Sequence, residues 1–142
     1  MSVDLAPLEG LKKALVNRIM RKAMRESAKP LLQAAQGNAR SHKRTGHMAR
    51  SIKLKLKTYK TGVVAIVGPR SDYKIALGTI TRGPRKGQTR MYAPSAIFHC
   101  LENGTKRAAA RPILKPALAS QQAAFLSSMS DAIAQGIVQE LR

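Results

Sequence analysis

The chain has 142 residues, of which 44% are hydrophobic, and these numbers suit one domain (residues 1–142) with a modest core. Its apolar runs are too short to span a membrane, and its N-terminus lacks the basic-then-apolar order of a signal peptide. We therefore expect no membrane partner. A lone cysteine, Cys100, excludes a disulfide within the chain and fits a reducing compartment.

Positive charge is the unusual property of the composition. The chain carries 26 basic and 7 acidic residues, for a net charge of +19. Residues 37–91 contain 14 Lys or Arg and a single acid, Asp72. Charge of this size disfavours a compact state unless something compensates it, so it indicates an anionic partner. The alternative is a solvated surface that keeps the protein in solution.

An apolar stripe at steps of three to five residues, from Leu8 to Ala35, predicts an N-terminal helix. Its cations fall between the apolar positions and are predicted to be solvated: Lys12, Lys13, Arg18, Arg21, Lys22 and Arg25. Pro30 removes a backbone donor, and we expect a kink or break there. Ser27 would then cap a second short helix that ends at Gly37.

Residues 37–49 are polar and basic and are predicted to form a loop. The clearest strand follows, because Ile52, Leu54 and Leu56 alternate with lysines. One face of this strand should be buried, and the other should present the row Lys53, Lys55 and Lys57. A turn at residues 60–62 leads to a second apolar strand, 63–67, which is predicted to pair back as a hairpin.

Residues 70–95 form a long connection rich in glycine, proline and positive charge. A short strand near residues 75–81 would make this segment an extended hairpin arm; otherwise it is an extended loop. Its composition predicts mobility in the isolated protein and order in an assembly. Four of its cations are candidate interface residues: Arg82, Arg85, Lys86 and Arg90.

The C-terminal part is predicted to contain a strand at 96–102 and a long helix at 112–141. Pro112 suits the first turn of that helix, where a missing donor costs nothing. The predicted stripe of the helix is Leu114, Leu118, Phe125, Met129, Ile133, Ile137 and Leu141. A helix of 30 residues is about 45 Å long, so we expect a neighbouring subunit to cover part of the stripe.

These elements predict an α+β fold, with two long helices, N- and C-terminal, packed on a small antiparallel β-sheet beside a long basic arm. No catalytic, cofactor-binding or metal-binding residues are predicted. His42, His47, His99 and Cys100 lack metal-ligand spacing, and Cys100 is expected to be a small buried strand residue. Paired carboxylates and a phosphate-binding glycine loop are also lacking.

Glu102 is the acidic residue of most interest because Lys106, Arg107 and Arg111 follow it closely. It could form a salt bridge that fixes the turn at residues 102–105, or one between subunits. The alternative is an exposed ion pair worth about 0–1 kcal/mol. Gly104 is predicted to supply a backbone angle that other residues reach only with strain.

Gly46, in Arg44-Thr45-Gly46, is predicted to play the same role as Gly104, with Thr45 or Ser51 tying the loop.

The basic strand face and arm could hold a DNA duplex by its phosphates, which positions a protein without reading sequence. Aromatic residues make up only 4%, which disfavours recognition of single strands by base stacking.

Two ordered stretches resemble a known family. The first contains Arg44-Thr45-Gly46-His47-Met48 and then Ser51-Ile52. The second contains Glu102-Asn103-Gly104-Thr105 and then the run from Ala110 through Arg111 and Pro112 to Ala117. Together they resemble the neck and tail-completion proteins of long-tailed bacteriophages, over roughly residues 8–141. Met48 and Ile113 replace the usual Leu and Phe.

The resemblance implies a virion structural protein at the head–tail junction, made in the host cytoplasm. Such subunits form a homo-oligomeric ring, expected to be six-fold, that completes the tail and docks it to the head connector. Implied partners are portal-side proteins, the tail tube or tail terminator, and the genomic DNA that passes through the lumen. The alternative is a basic DNA-binding or architectural protein without sequence specificity; a small hydrolase-like enzyme is a third.

Overall fold

The computed structural model describes residues 6–41, 46–60 and 62–140. In chain order the elements are α1 (Ala6–Ser41), α2 (His47–Ser51), β1 (Ile52–Tyr59), β2 (Gly62–Pro69), β3 (Ile75–Thr79), β4 (Thr89–Tyr92), α3 (Pro94–Asn103) and α4 (Leu114–Glu140). Several residues named above lie outside the described part: His42, Arg44, Thr45 and Leu141, together with the middle residue of the predicted turn at 60–62. None of the described helices is long and apolar enough to cross a membrane.

The α+β class is confirmed, with long N- and C-terminal helices and small antiparallel sheets. The described strands form two sheets rather than one: β1 pairs with β2, and β3 pairs with β4. Chain segments cluster into two compact units. The first contains the described parts of Met1–Gln33, Leu54–Val67 and Ser120–Arg142, and the second contains Ala34–Lys53 and Gly68–Ala119.

Helix α1 runs through Pro30 without ending, so the predicted break is wrong. Small residues are buried along the helix on both sides of the proline: Ala23, Ala28, Ala35 and Ala39 are each at most 2% exposed. Because the helix is packed both before and after Pro30 in the chain, it stays helical there, although proline has no backbone N–H for the usual helical hydrogen bond. Ser27 is buried within α1 rather than capping a second helix, and α1 continues past Gly37.

The predicted loop at residues 37–49 is also partly wrong, because α1 extends to Ser41 and α2 begins at His47. The strand that follows matches the prediction. Ile52 is fully buried, Leu54 and Leu56 are half-buried, and the three lysines between them are exposed. The alternation therefore sets which side of β1 packs on the protein and which side meets solvent.

The segment 70–95 contains β3 and β4, paired antiparallel with Ile75 opposite Tyr92 and Ala76 opposite Met91. Its tip is closed by backbone hydrogen bonds, among them Gly87 N to Ile80 O at 2.9 Å and Lys86 N to Gly83 O at 3.0 Å. The four candidate interface cations of the segment are exposed. Arg82, Arg85 and Lys86 lie at the hairpin tip, whose backbone is internally bonded, and Arg90 lies in β4.

The predicted strand at 96–102 is wrong, because these residues lie in α3, with Pro94 in the first turn. A short apolar run does not distinguish a strand from a helix, and a proline that opens a helix favours the helix. Cys100 is consequently exposed on α3 rather than buried in a strand.

Helix α4 begins at Leu114, two residues after Pro112. Two residues of the predicted stripe are exposed in the single chain, Leu118 at 55% and Ile137 at 49%, and a neighbouring subunit was expected to cover part of this stripe. In the first unit α4 and α1 pack closely, because a Cβ added to Gly136 would lie 2.6 Å from Cγ2 of Ile19. In the second unit the core includes Ile52, Ile113 and Ala117, each at most 1% exposed.

Candidate functional site

The best-defined polar arrangement is a carboxylate cap at the start of α4. Glu102, near the end of α3, is 9% exposed. One of its oxygens, Oε2, accepts hydrogen bonds from the backbone N–H of Ile113 (2.8 Å) and Leu114 (3.1 Å), and Oε1 accepts one from Lys115 N–H (2.8 Å). A helix start leaves such N–H groups without partners within the helix, so Glu102 caps α4 from another helix.

The pKa of Glu102 follows from this position. Burial raises the pKa, but hydrogen bonds from the amides of Ile113, Lys115 and Leu114 lower it more, with help from the charge of Lys115. The net pKa lies below the ordinary value, and the group caps α4 as a carboxylate at neutral pH. The predicted exposed ion pair is wrong because Glu102 is buried, and its hydrogen bonds fix the start of α4 through backbone amides rather than through a basic side chain of the turn. A salt bridge between subunits stays a prediction.

The chain between Glu102 and α4 folds into a tight turn. Gly104 has φ of +78° and ψ of −179°, a combination that only glycine adopts readily. A Cβ at this position would lie 2.9 Å from the backbone nitrogen of Ala110. Thr105 and Ala108 form a small bridge, in which the Thr105 hydroxyl also accepts from the amide of Ala108 at 3.0 Å.

Further bonds attach this turn to its surroundings within the second unit. The Arg111 amide donates to the carbonyl of Leu101 at 2.8 Å, while the side chain of Arg111 is exposed. Asn38 of α1 donates from Nδ2 to the carbonyl of Ile113 at 3.0 Å. The Glu-x-Gly-Thr and Arg-Pro segments thus form one connection between α3 and α4. We call this connection, residues 102–115, the α4 cap.

Sequence reasoning did not identify Asn38 or the amides that Glu102 binds. A capping residue normally lies within four residues of the helix it caps, and that spacing is readable from sequence. Glu102 precedes its partners by 11–13 residues, and Asn38 precedes Ile113 by 75. These contacts depend on the tertiary fold, so no local sequence pattern predicts them.

The first motif is organised in a similar way around α2. Gly46 has φ of +71°, in the left-handed region, immediately before α2. The buried Ser51 hydroxyl donates to the Met48 carbonyl at 2.7 Å, and Gln36 of α1 donates to the Ile52 carbonyl at 3.0 Å. The described part of this motif therefore connects α1, α2 and the start of β1.

Most of the remaining predicted interface cations lie on the surface. Lys53, Lys55 and Lys57 project from the exposed side of β1, and the four arm cations are exposed, three at the tip between β3 and β4 and one in β4. The structure thus brings together Glu102, Gly104, Thr105, Arg111 and Pro112 in one turn. Whether the exposed cations contact a partner stays a prediction.

Metal and cysteine chemistry have little structural support. Across residues 6–41, 46–60 and 62–140, no group of three or more His, Cys, Asp or Glu side chains is placed to hold a metal ion. Cys100 is exposed on α3, and the neighbouring His99 is bonded through Nδ1 to the side chain of Asn103 at 3.0 Å.

The described part of the chain is thus an α+β protein with a capped C-terminal helix and exposed basic surfaces. Comparison with known families adds an assignment. Residues 6–104 match the family model described as "Bacteriophage HK97-gp10, putative tail-component". The match runs from the start of α1 through Glu102 and Gly104, and the chain belongs to this family of bacteriophage tail components. Searches of curated proteins and of solved structures return no match.

Proposed function

We propose that this tail component is a structural protein of the head–tail junction, where copies form a ring that completes the tail and docks it to the head connector. Family membership supports a place in the virion. The role is assembly rather than catalysis, and the subunit is made in the host cytoplasm before incorporation. The neighbouring proteins of such a ring are the connector on one side and the tail tube or terminator on the other.

Exposed apolar side chains in the first unit are the observation that carries this proposal. On β2, Val64 and Ile66 are 45% and 42% exposed, although Val63 on the opposite side is buried. On α4, Leu126, Ile137 and Val138 are 49–58% exposed. A strand that is apolar on both sides is typical of one covered on both faces, and a subunit interface supplies the second cover.

The polar surfaces fit docking to other virion proteins. The lysine row of β1 and the arm at 70–95 present cations with few acids nearby. Charge of one sign on a docking face selects partners of the opposite sign and speeds their encounter. The arm gains order in this proposal when it contacts its partner in the assembled particle.

An interface variant tests the ring. Leu126→Asp places a charge where the proposal puts an apolar subunit contact, and it should convert the oligomer to monomers in native mass spectrometry. Ser127→Asp is the matched control, because it adds the same charge at the next exposed position of α4. Ring formation by Leu126→Asp at wild-type concentrations would contradict this interface. Monomeric wild-type protein at all concentrations would contradict a self-assembling ring.

A triple variant tests the docking surface, with glutamine in place of Lys53, Lys55 and Lys57. All three side chains are exposed, so the melting temperature should stay at the wild-type value. Joining of heads to tails should fall in an in vitro complementation assay. Normal joining by the folded triple variant would remove this strand from the docking surface.

The net charge of +19 favours one other function, a free-standing basic DNA-binding or architectural protein. Mass spectrometry of purified virions separates the two. A fixed copy number per particle supports the structural role. Absence from virions, with the protein bound to DNA in infected cells, supports the alternative, and genes for portal, capsid and tail-tube proteins beside this one would argue against it.

A further inference from the structure

A groove in the first unit lies between α1 and the end of β1. It has a volume of about 620 Å³, and its lining includes Arg18, Arg21, Lys22, Arg25 and, from β1, Thr58. The cations recur at three- and four-residue steps, which places them on one side of α1. From sequence, these four cations were expected to form a solvated helix face. They are exposed in the structure, and they lie along a concave surface.

Positive charge dominates this groove. Its one acidic residue, Glu26, is already bonded to Lys29, whose Nζ lies 2.6 Å from Oε2. Lys29 lowers the pKa of Glu26 most, and Arg25 and Lys22 lower it further. The side chains around Glu26 therefore hold more positive charge than this one carboxylate neutralises, and the groove is suited to an anion.

A second copy of this chain is a poor occupant because it has only 7 acids against 26 basic residues. Of the acids with described side chains, Glu26 is paired with Lys29, Asp72 with Arg70, and Glu102 with the amides of residues 113–115, which leaves Asp131. Net charge of +19 on each copy also makes it unfavourable to place a second copy against this cluster of cations, whereas the apolar surfaces of β2 and α4 carry no such charge. The occupant is therefore a polyanion other than this chain.

We propose that the groove formed by Arg21, Lys22 and Arg25 of α1 with Thr58 of β1 binds the phosphate backbone of duplex DNA. Guanidinium groups match phosphate geometry by donating two parallel hydrogen bonds, and a threonine hydroxyl is a common phosphate donor. The row from Arg18 to Arg25 spans about 10 Å, comparable with three base-pair steps of about 3.4 Å.

Duplex rather than single-stranded DNA follows from the lining. None of the residues of the groove is aromatic, so unpaired bases have no ring on which to stack. Contact with phosphates alone predicts binding without sequence preference and with strong salt dependence. The choice of DNA over an acidic protein rests on the proposed function, since a genome has to pass the junction to which the ring is assigned.

The first experiment measures binding of the purified full chain to a fluorescent duplex by anisotropy at several salt concentrations. Arg21→Gln, Lys22→Gln and Arg25→Gln are combined in one groove variant, and Arg18, which has an interaction within the chain, is left unchanged. Affinity at about 0.1 M salt should fall at least tenfold. The slope of log affinity against log salt should decrease by about 2–3, at roughly 0.9 per lost phosphate contact.

The control variant removes the same charge elsewhere, as Arg40→Gln, Lys74→Gln and Lys106→Gln, all exposed and outside the groove. Its slope should change by less than about 1. Equal losses in the two variants would overturn the proposal in favour of bulk charge. Competition by polyglutamate as effective as that by duplex DNA would overturn it in favour of an acidic protein.

Arginine footprinting of the wild-type protein provides a test that needs no variant. Bound duplex should protect Arg21 and Arg25 from phenylglyoxal while Arg40 stays reactive, and equal reactivity of all three would overturn the proposal. Ring formation is measured separately by native mass spectrometry without DNA. A protein that forms rings but shows no groove protection refutes this inference alone, whereas a monomer that shows the protection refutes the ring.

Discussion

Two glutamates of this chain, Glu26 on α1 and Glu102 on α3, both have a lowered pKa but for different physical reasons. Glu26 is exposed, and a hydrogen bond from the side chain of Lys29 lowers its pKa most. Glu102 is buried, and backbone amides of a second helix offset the burial that would raise its pKa. One carboxylate pairs with an exposed side chain, and the other organises the start of α4.

The difference shows that the contribution of a carboxylate to stability depends on its hydrogen-bond partner more than on the size of its pKa shift. An exposed ion pair exchanges water for a flexible partner, and its net stabilisation is small and screened by salt. A buried carboxylate that binds several amides satisfies groups that would otherwise be buried without partners. We therefore expect the α4 cap to control stability, and the surface around Glu26 to affect binding rather than folding.

The largest expected effect comes from Glu102→Ala. It removes the acceptor for three amides, one of them in the buried residue Ile113. The free energy of unfolding should fall by about 3 kcal/mol, measured by urea denaturation. Glu102→Gln retains one acceptor oxygen and should cost about half as much. A loss below about 1 kcal/mol for the alanine variant would contradict a stabilising cap.

A somewhat smaller effect is expected from Gly104→Ala. The φ of +78° and the contact of a new Cβ with the backbone of Ala110 both oppose a side chain here, so stability should fall by about 2 kcal/mol. Gly37→Ala is the control, because Gly37 lies inside α1 with open space around it and should gain about 0.5–1 kcal/mol. The same sign in both variants would contradict the assigned backbone strain.

The pH dependence of stability sharpens the comparison further. A carboxylate whose pKa is lowered by folding stabilises the protein above its unfolded pKa, about 4.3 for glutamate. That stability is lost as the pH falls through the lower folded pKa. The difference in unfolding free energy between wild type and Glu102→Gln should thus be constant above about pH 5 and shrink towards zero below it. A difference independent of pH would show that the charge of Glu102 is not involved.

The smallest effect is expected from Glu26→Gln. Because the Glu26–Lys29 pair is exposed, the melting temperature should not change measurably. Affinity for duplex DNA should instead rise slightly, since the one carboxylate of the groove is neutralised. A melting temperature lowered as much as by Glu102→Gln would show that the two glutamates play equivalent structural roles.

Local sequence patterns predicted the structure correctly where apolar residues recur with one clear period. The alternation of Ile52, Leu54 and Leu56 with lysines predicts both β1 and its exposed face. Local patterns failed at the apolar run of α3, which carries no clear period, and at Pro30, whose local cost is outweighed by packing on both sides. The cap was missed for a related reason, because its hydrogen bonds join residues that are distant in sequence.

By itself the sequence determined the charge, the α+β class, the amphipathic N-terminal helix and the motifs that resemble a phage tail family. These features depend on composition and on periods of two or three to four residues, which need no knowledge of distant partners. The tertiary structure decided that Glu102 is buried against α4 and that the cations of α1 line a groove. The reason is that burial and the pairing of backbone amides depend on which segments meet in space, and that follows from packing of the whole chain.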